Sequence, residues 1–315
     1  MTMDAVTLTV VVLTYRRPDE LLRALPAIVE QIDGVNAGDG RVTADILVVD
    51  NDALASARQA VNDFASPLVR YVVEPLPGIA AARNRGLRET GQSDLLVYID
   101  DDERPLEGWL SSLVATWRQT DAAAVMGRVV SEYVVEPDPW IKAGQFFRRP
   151  RRATGTEIRV AAAGNLLLDL GQVRALGVTF DNRFGLSGGE DTLFSRQLSA
   201  RSGRIIWCDE SVATDFVPPE RATRSWVLRR ARRSGNTSSV IDLYLAGSTS
   251  ARLRVRMTSV VCGAVRIGGG LTRYLGGLVT RSHWHQARGL RTTYRGVGMM
   301  SAAFGTFIQE YARDA

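Results

Sequence analysis

The sequence predicts an α/β protein: a mainly parallel sheet flanked by helices, followed by a basic helical region that starts after residue 220. Three observations carry this. Short β-branched runs alternate with stretches of helical period through the first hundred residues. Polar clusters close three of those runs. The balance of charge then changes sign near Pro218-Pro219.

Residues 6–13 form a continuous β-branched run, followed by Thr14-Tyr15-Arg16-Arg17-Pro18 and a segment with Leu21, Leu22, Leu25, Ile28, Val29 and Ile32 at helical spacing. The pattern repeats. Residues 46–49 end in Asp50-Asn51-Asp52 and lead to a helical stretch over 54–64, residues 69–73 end in Glu74-Pro75, and 79–89 are Ala- and Arg-rich with helical spacing. Residues 95–99 are the fourth strand. Alternation of this kind implies right-handed crossovers and parallel pairing. Ligands in such sheets bind outside the carboxyl ends of the strands, where the three polar clusters fall.

The fourth strand ends in Asp100-Asp101-Asp102. If the chain stays extended, Asp100 and Asp102 share a side, suited to one hard cation, and Asp101 faces elsewhere. Three adjacent like charges repel, and Mg2+ or Mn2+ would neutralise them. A solvated acidic turn is the plain alternative.

The middle third changes character. Residues 125–134 fit a strand, and 137–150 are rich in proline and aromatics, with Trp140, Phe146 and Phe147. Arg148-Arg149-Pro150-Arg151-Arg152 reads as a mobile basic loop near phosphates or solvent. Residues 161–168 return to a buried strand, in which the Gly164-Asn165 step suggests close backbone approach to a ligand. Gly188-Gly189-Glu190-Asp191 opens a helix over 192–201. Its dipole keeps Glu190 and Asp191 ionised and able to act as bases, although capping would use the same residues. Two strand-like runs follow, at 204–208 and 212–216.

From Arg221 onward sixteen arginines stand against Asp242, Glu310 and Asp314, a net charge of +13, so the first 220 residues carry −8 of the overall +5. The basic part suits phosphates or anionic lipid. Nucleic acid would also fit the sign, but no helix-turn-helix, zinc-finger or RRM pattern is visible and the basic residues are interleaved with Gly, Leu, Val and Trp, so no nucleic-acid partner is expected. Residues 224–230 and 253–279 look helical. Arg266 and Arg273 make a membrane-spanning helix costly, whereas an interfacial helix tolerates them. The alternative is a helical subdomain packed on the core through its glycines, which would also give a route to an oligomer. Cys208 and Cys262 offer no disulfide framework, which suggests a reducing compartment, and the first residues lack the features of a signal peptide. His283-Trp284-His285 fits an interfacial aromatic anchor better than a zinc site. The first strand-to-helix turn lacks GxGxxG, which weighs against a nicotinamide oxidoreductase.

Four stretches together resemble the family 2 glycosyltransferases of GT-A fold: Val11-Val12-Leu13-Thr14-Tyr15-Arg16-Arg17-Pro18, Val48-Val49-Asp50-Asn51, residues 77–87 with Arg83-Asn84, and Asp100-Asp101-Asp102 with Pro105. Gly188-Gly189-Glu190-Asp191 matches the acceptor-side motif. The resemblance covers residues 6–220. It implies a catalytic domain over 1–220, with a nucleotide-binding half over about 1–105 and an acceptor half over about 106–220, and a separate C-terminal region over 221–315. It implies a nucleotide-sugar site at Thr14, Tyr15, Arg17, Asp50, Asn51, Arg83, Asn84, Asp100 and Asp101, with Gly164 and Asn165 near the sugar. The metal, Mg2+ or Mn2+, would lie on Asp102 and Asp100. Asp215 occupies the place where many relatives carry a further ligand. Asp191 would be the catalytic base, supported by Glu190.

The function expected is metal-dependent, inverting transfer of a sugar from a nucleoside-diphosphate donor, most simply a UDP-sugar, to a lipid-linked or surface-glycan acceptor. The enzyme would act peripherally on the cytoplasmic face of a membrane with an anionic surface. Arg221-Ala222-Thr223-Arg224-Ser225-Trp226 only echoes the Gln-x-x-Arg-Trp of processive synthases. A transferase acting on a small natural product and a non-catalytic membrane scaffold are the competing readings. The intact carboxylates weigh against the scaffold.

Overall fold

The computed structural model describes residues 5–38 and 41–309. In chain order it opens with β1 (Val6–Thr14), α1 (Pro18–Asn36), β2 (Val42–Asp50), α2 (Arg58–Phe64), β3 (Val69–Val73), α3 (Ile79–Glu89) and β4 (Leu95–Asp100). Next come β5 (Glu103–Pro105), α4 (Trp109–Thr120), β6 (Ala124–Tyr133), α5 (Pro139–Gly144), β7 (Glu157–Ile158), β8 (Asn165–Asp169), α6 (Leu170–Ala175), α7 (Glu190–Ala200) and β9 (Ile205–Val217). Three long helices follow: α8 (Arg224–Leu245), α9 (Thr249–Val279) and α10 (His283–Ala303).

The sheet runs β3-β2-β1-β4-β8-β6-β9-β5, with β7 paired to β9. From β3 to β4 neighbours are parallel, as the β-α-β alternation predicts. Beyond β4 the pairs β4·β8, β6·β8 and β5·β9 are antiparallel. Strand β1 from Leu8 onward and β4 up to Ile99 are buried on both faces, which explains why Val10-Val11-Val12-Leu13 and Leu95-Leu96-Val97-Tyr98-Ile99 run without polar alternation. One layer of core lies under α1 and α4, through Leu21, Leu25, Ile28, Trp109 and Leu113. The other lies under α3 and α7, through Ala80, Phe180, Phe194 and Leu198.

The two strand-like runs at 204–208 and 212–216 are one strand, β9. The polar step between them is absorbed rather than looped out: Arg151 binds Asp209 at 2.6 Å, Thr154 binds Glu210, and Ser211 is fully buried. The same contacts correct the reading of 148–152 as a free basic loop. Arg149 lies 3.0 Å from Asp215, so two of the four arginines are paired with carboxylates on β9.

The chain divides into two compact units. The first comprises Met1–Val130, Arg149–Gly185 and Glu190–Asp215, and holds most of the sheet. The second comprises Ser131–Arg148, Leu186–Gly189 and Phe216–Ala315. The second is therefore not only the tail after residue 220; it takes in the aromatic segment with Trp140 and Phe147, which packs with Val217, Val227 and Ala287. Helix α10, not foreseen from the sequence, runs beside α9. Gly263, Gly270 and Gly277 recur at seven-residue spacing on the buried edge of α9, and a Cβ at Gly270 would lie 2.8 Å from the Gly289 carbonyl. Backbone approach that close leaves room for no side chain.

Candidate active site

The polar ends of β1, β2 and β4 meet with α3, β5 and α7 inside the first unit. Strand β4 stops at Asp100 and residues 101–102 form a turn, so strand alternation does not decide where the three aspartates face. Asp101 is buried and accepts from Thr14 Oγ1 at 2.8 Å. Asp102 lies 3.3 Å from Arg17, which also reaches Asp101 at 3.7 Å. The guanidinium of Arg16 lies near the ring of Tyr15, and Arg16 Nε meets Asp52 at 3.2 Å.

Asp100 sits in a tighter group. A Cβ at Gly164 would lie 2.9 Å from Asp100 Oδ2 and 2.9 Å from Glu103 Oε1. The close approach expected at Gly164 is thus made to carboxylates of the chain itself. Glu103 pairs in register with Asp215 across β5 and β9, is 2% exposed, and has a buried Oε2 without a hydrogen-bond partner. Burial, then the neighbouring Asp100, push Glu103 well above the usual carboxylate range. Asp101 is pushed up to about 7 by burial and Asp102. Asp100, although 37% of its side-chain surface is open, is raised by desolvation and by Asp102 and Asp215 against the pull of Arg83.

Arg83 joins this group to α7. It is 3% exposed, lies 3.9 Å from Asp100 and forms a short buried ion pair with Glu190. Burial alone would lower its guanidinium, but Glu190, Asp100 and Asp191 hold it above its ordinary value. The helix dipole predicts an ionised Glu190, but burial raises it to about 7 in spite of Arg83. Asp191 is partly exposed in the first turn of the same helix, where its Oδ1 accepts from the Thr192 N–H.

Of the residues expected at the nucleotide-sugar site, Asp50, Asn51 and Asn165 are turned inward and the half-exposed Asn84 is tied to neighbouring backbone. Asp50 is fully buried and accepts from Ala57 N, Asp52 N and Tyr71 Oη. Asn51 donates to the carbonyls of Glu74 and Leu76 and accepts from Gly78 N. Asn84 exchanges hydrogen bonds with the backbone of Phe180. Asn165 is fully buried, accepting from Trp109 Nε1 at 2.9 Å and donating to the carbonyls of Arg128 and Ser211. These side chains shape the loops around the site, and Asn165 has no surface to offer a ligand. Glu103 is the residue that sequence reasoning passed over, and Arg149 is placed by it only in a basic loop. A fourth acid directly after three aspartates was the available signal, but nothing local indicates that β5 pairs with β9.

Could this set hold a divalent cation? Among the described residues no group of three or more His, Cys, Asp or Glu side chains is arranged to hold one by itself. The donors present are nevertheless all carboxylate oxygens, and Mg2+ is commonly held by one or two carboxylates plus substrate phosphates and water. The orphaned Oε2 of Glu103 also marks an electrostatic deficit that a cation would relieve. The residues fit such an ion.

A pH-dependent prediction follows. Because Asp100, Asp101 and Glu103 are raised in the folded state, that state binds more protons than the unfolded chain between about pH 4 and 7. Their contribution to stability without metal falls as pH rises through that window. A bound cation replaces those protons, so the gain in Tm on adding Mn2+ should be larger at pH 8 than at pH 5.5 by scanning calorimetry. An equal gain at both would show that the cation does not bind these carboxylates.

Known proteins resemble the chain in sequence and in fold. The family model described as Glycosyl transferase family 2 matches residues 9–171. The succinoglycan biosynthesis protein ExoM of Rhizobium meliloti (strain 1021) is 37% identical over 232 residues, covering 72% of each chain. Among solved structures, GalNAc-T7 with UDP, GalNAc and Mn2+ superposes with a TM-score of 0.56 at 14% identity over 79% of this chain. TarS 1-349 of S. aureus in complex with UDP superposes with a TM-score of 0.52 at 12% identity, over 92% of this chain and 90% of its own. The chain spans about half the length of the GalNAc-T7 chain (51%) and 43% of the longer TarS chain. At these identities the structural matches establish the fold, which is GT-A.

Proposed function

The chain belongs to glycosyl transferase family 2, and from that premise we propose that it moves a sugar, with inversion and with Mg2+ or Mn2+, from a UDP-sugar to a hydroxyl of a lipid-linked or surface-glycan acceptor. The observation that carries this reading is the Arg83 bridge. One buried guanidinium reaches both Asp100, at the end of β4, and Glu190, at the head of α7. It brings a candidate donor-side carboxylate and a candidate acceptor-side helix to one place.

Tyr15 and Arg17 line the nucleotide side, Thr14 lies behind them on Asp101, and Asp50, Asn51 and Asn84 hold the surrounding loops in shape. Asp102 and Asp100 would hold the cation, with Asp215 behind them on β9 and Arg149 offsetting its charge. A bound divalent cation would supply charge neutralisation for the departing diphosphate. Asp191 accepts the proton of the acceptor hydroxyl as its oxygen forms the new bond to the anomeric carbon. The bond from that carbon to the diphosphate oxygen breaks and its electron pair leaves with UDP. Glu190 is engaged by Arg83 and sets the position of the helix that carries Asp191.

The similarity to a protein of succinoglycan biosynthesis supports a glycan or lipid-linked acceptor. Among the described residues no helix is long and apolar enough to cross a membrane. We place the enzyme peripherally, on the cytoplasmic face. Calorimetric titration of UDP should show binding that depends on Mn2+ and is lost in Asp102→Ala. Binding that is equally tight without metal and in the variant would remove the metal-held donor from the mechanism.

A further inference from the structure

Helix α9 exposes an apolar face along most of its length. Met257, Val261, Val265, Leu271, Leu275 and Val279 are exposed, Val265 by 70% and Val279 by 85%. At 100° per residue these positions fall within one side of the helix, opposite the seam of Ser259, Gly263, Gly270 and Gly277 that is buried in the second unit. Between Met257 and Val279 that outward side carries no charged residue, since Arg266 and Arg273 fall toward the seam. At 1.5 Å per residue the face is roughly 33 Å long. A continuous strip of this size is beyond scattered surface hydrophobics and calls for an occupant.

Charge identifies the occupant. Residues 249–303, which contain α9 and α10, hold nine arginines and no Asp, Glu or Lys. Arg254 and Arg281 bracket the apolar face, and both are exposed. Burial lowers Arg291 and Arg295, and the charges that act on them are other guanidiniums: Arg288, Arg295 and Arg230 on the first, Arg266 on the second. Arg273 lies over the ring of the exposed Trp284, at 4.3 Å from its centroid. A second copy seated there would set its own Arg254 and Arg281 at the ends of the strip, with no Asp, Glu or Lys in residues 249–303 to pair with them, which disfavours self-association. An anionic lipid surface supplies both a hydrocarbon boundary for the apolar strip and phosphates for the arginines.

We propose that the outward face of α9, from Met257 to Val279, lies in the plane of an anionic bilayer at its headgroup boundary. The choice of a bilayer rests in part on the reading of a lipid-linked acceptor. The test therefore uses neither donor nor acceptor, so that failure of binding and failure of transfer are separate results.

The full chain is floated with vesicles of phosphatidylglycerol and phosphatidylcholine, and with phosphatidylcholine alone, at low and high salt. It should float with the anionic vesicles and less so as salt rises. Val261→Asp with Leu275→Asp, and independently Val279→Asp, should weaken flotation, the double variant by about tenfold or more. These side chains are exposed, so circular dichroism and the UDP titration should not change. Absence of flotation with anionic vesicles overturns the proposal, as does undiminished binding by the double variant. So does a lipid-free dimer that the same substitutions dissociate, because the face would then be an interface between copies.

Discussion

Asp191→Asn is expected to cut sugar transfer by about 10²–10⁴-fold, the usual contribution of a positioned general base, while leaving UDP binding unchanged. The two acids at the head of α7 are distinguished by what surrounds them. Glu190 is buried and its charge is committed to Arg83. Asp191 is partly exposed, and its Oδ1 accepts from the Thr192 N–H. The amide of asparagine keeps the shape and the hydrogen bond from Thr192 but cannot take a proton. A variant that retained full transfer would move the base elsewhere, and the matched Glu190→Gln would then be the substitution to examine. With Asp191 as base, Glu190→Gln should show itself mainly in stability.

Arg83→Met is expected to destabilise the fold by about 3–5 kcal/mol, the range for removing one partner of a buried ion pair. The methionine fills much of the same volume but leaves Glu190 buried without its cation. Glu190 can escape part of that penalty by taking up a proton, and it does so more readily because burial has already raised it to about 7. The loss should therefore be smaller at pH 5 than at pH 8 in denaturant titrations. Adding Glu190→Gln to Arg83→Met should recover part of the stability at pH 8, a coupling that a double-mutant cycle reads directly. Equal losses at both pH values, with no recovery in the double variant, would show that the pair does not hold the fold.

The parallel half of the fold was legible because each of its strands is an apolar run that ends in a polar loop before a periodic helix. Position on the chain and position in space agree there. The antiparallel half was harder, since nothing near Asp209-Glu210-Ser211 tells that Arg151 and Thr154 cover that polar step and keep β9 continuous. The site divides in the same way. Its residue types were legible at the strand ends, but a polar residue in that place either meets a ligand or ties down its own loop, and both uses leave the same letter. Asp50, Asn51, Asn84 and Asn165 turned out to satisfy neighbouring backbone or side-chain groups. The Arg83 bridge joins residues 107 positions apart and has no local signature at either end.

Asn165 has a consequence for how the chain comes together. Its single amide collects Trp109 from α4, Arg128 from β6 and Ser211 from β9, partners 56, 37 and 46 positions away. Gly127 leaves space for it, since a Cβ there would lie 2.2 Å from the Asn165 side-chain nitrogen. A slip of one residue in any of these strands would strand a buried polar group at a cost of about 1–3 kcal/mol. The amide thus works as a key for strand register. That key is complete only when α4, β6, β8 and β9 are all in place, and contacts of such sequence separation are the kind that slow folding.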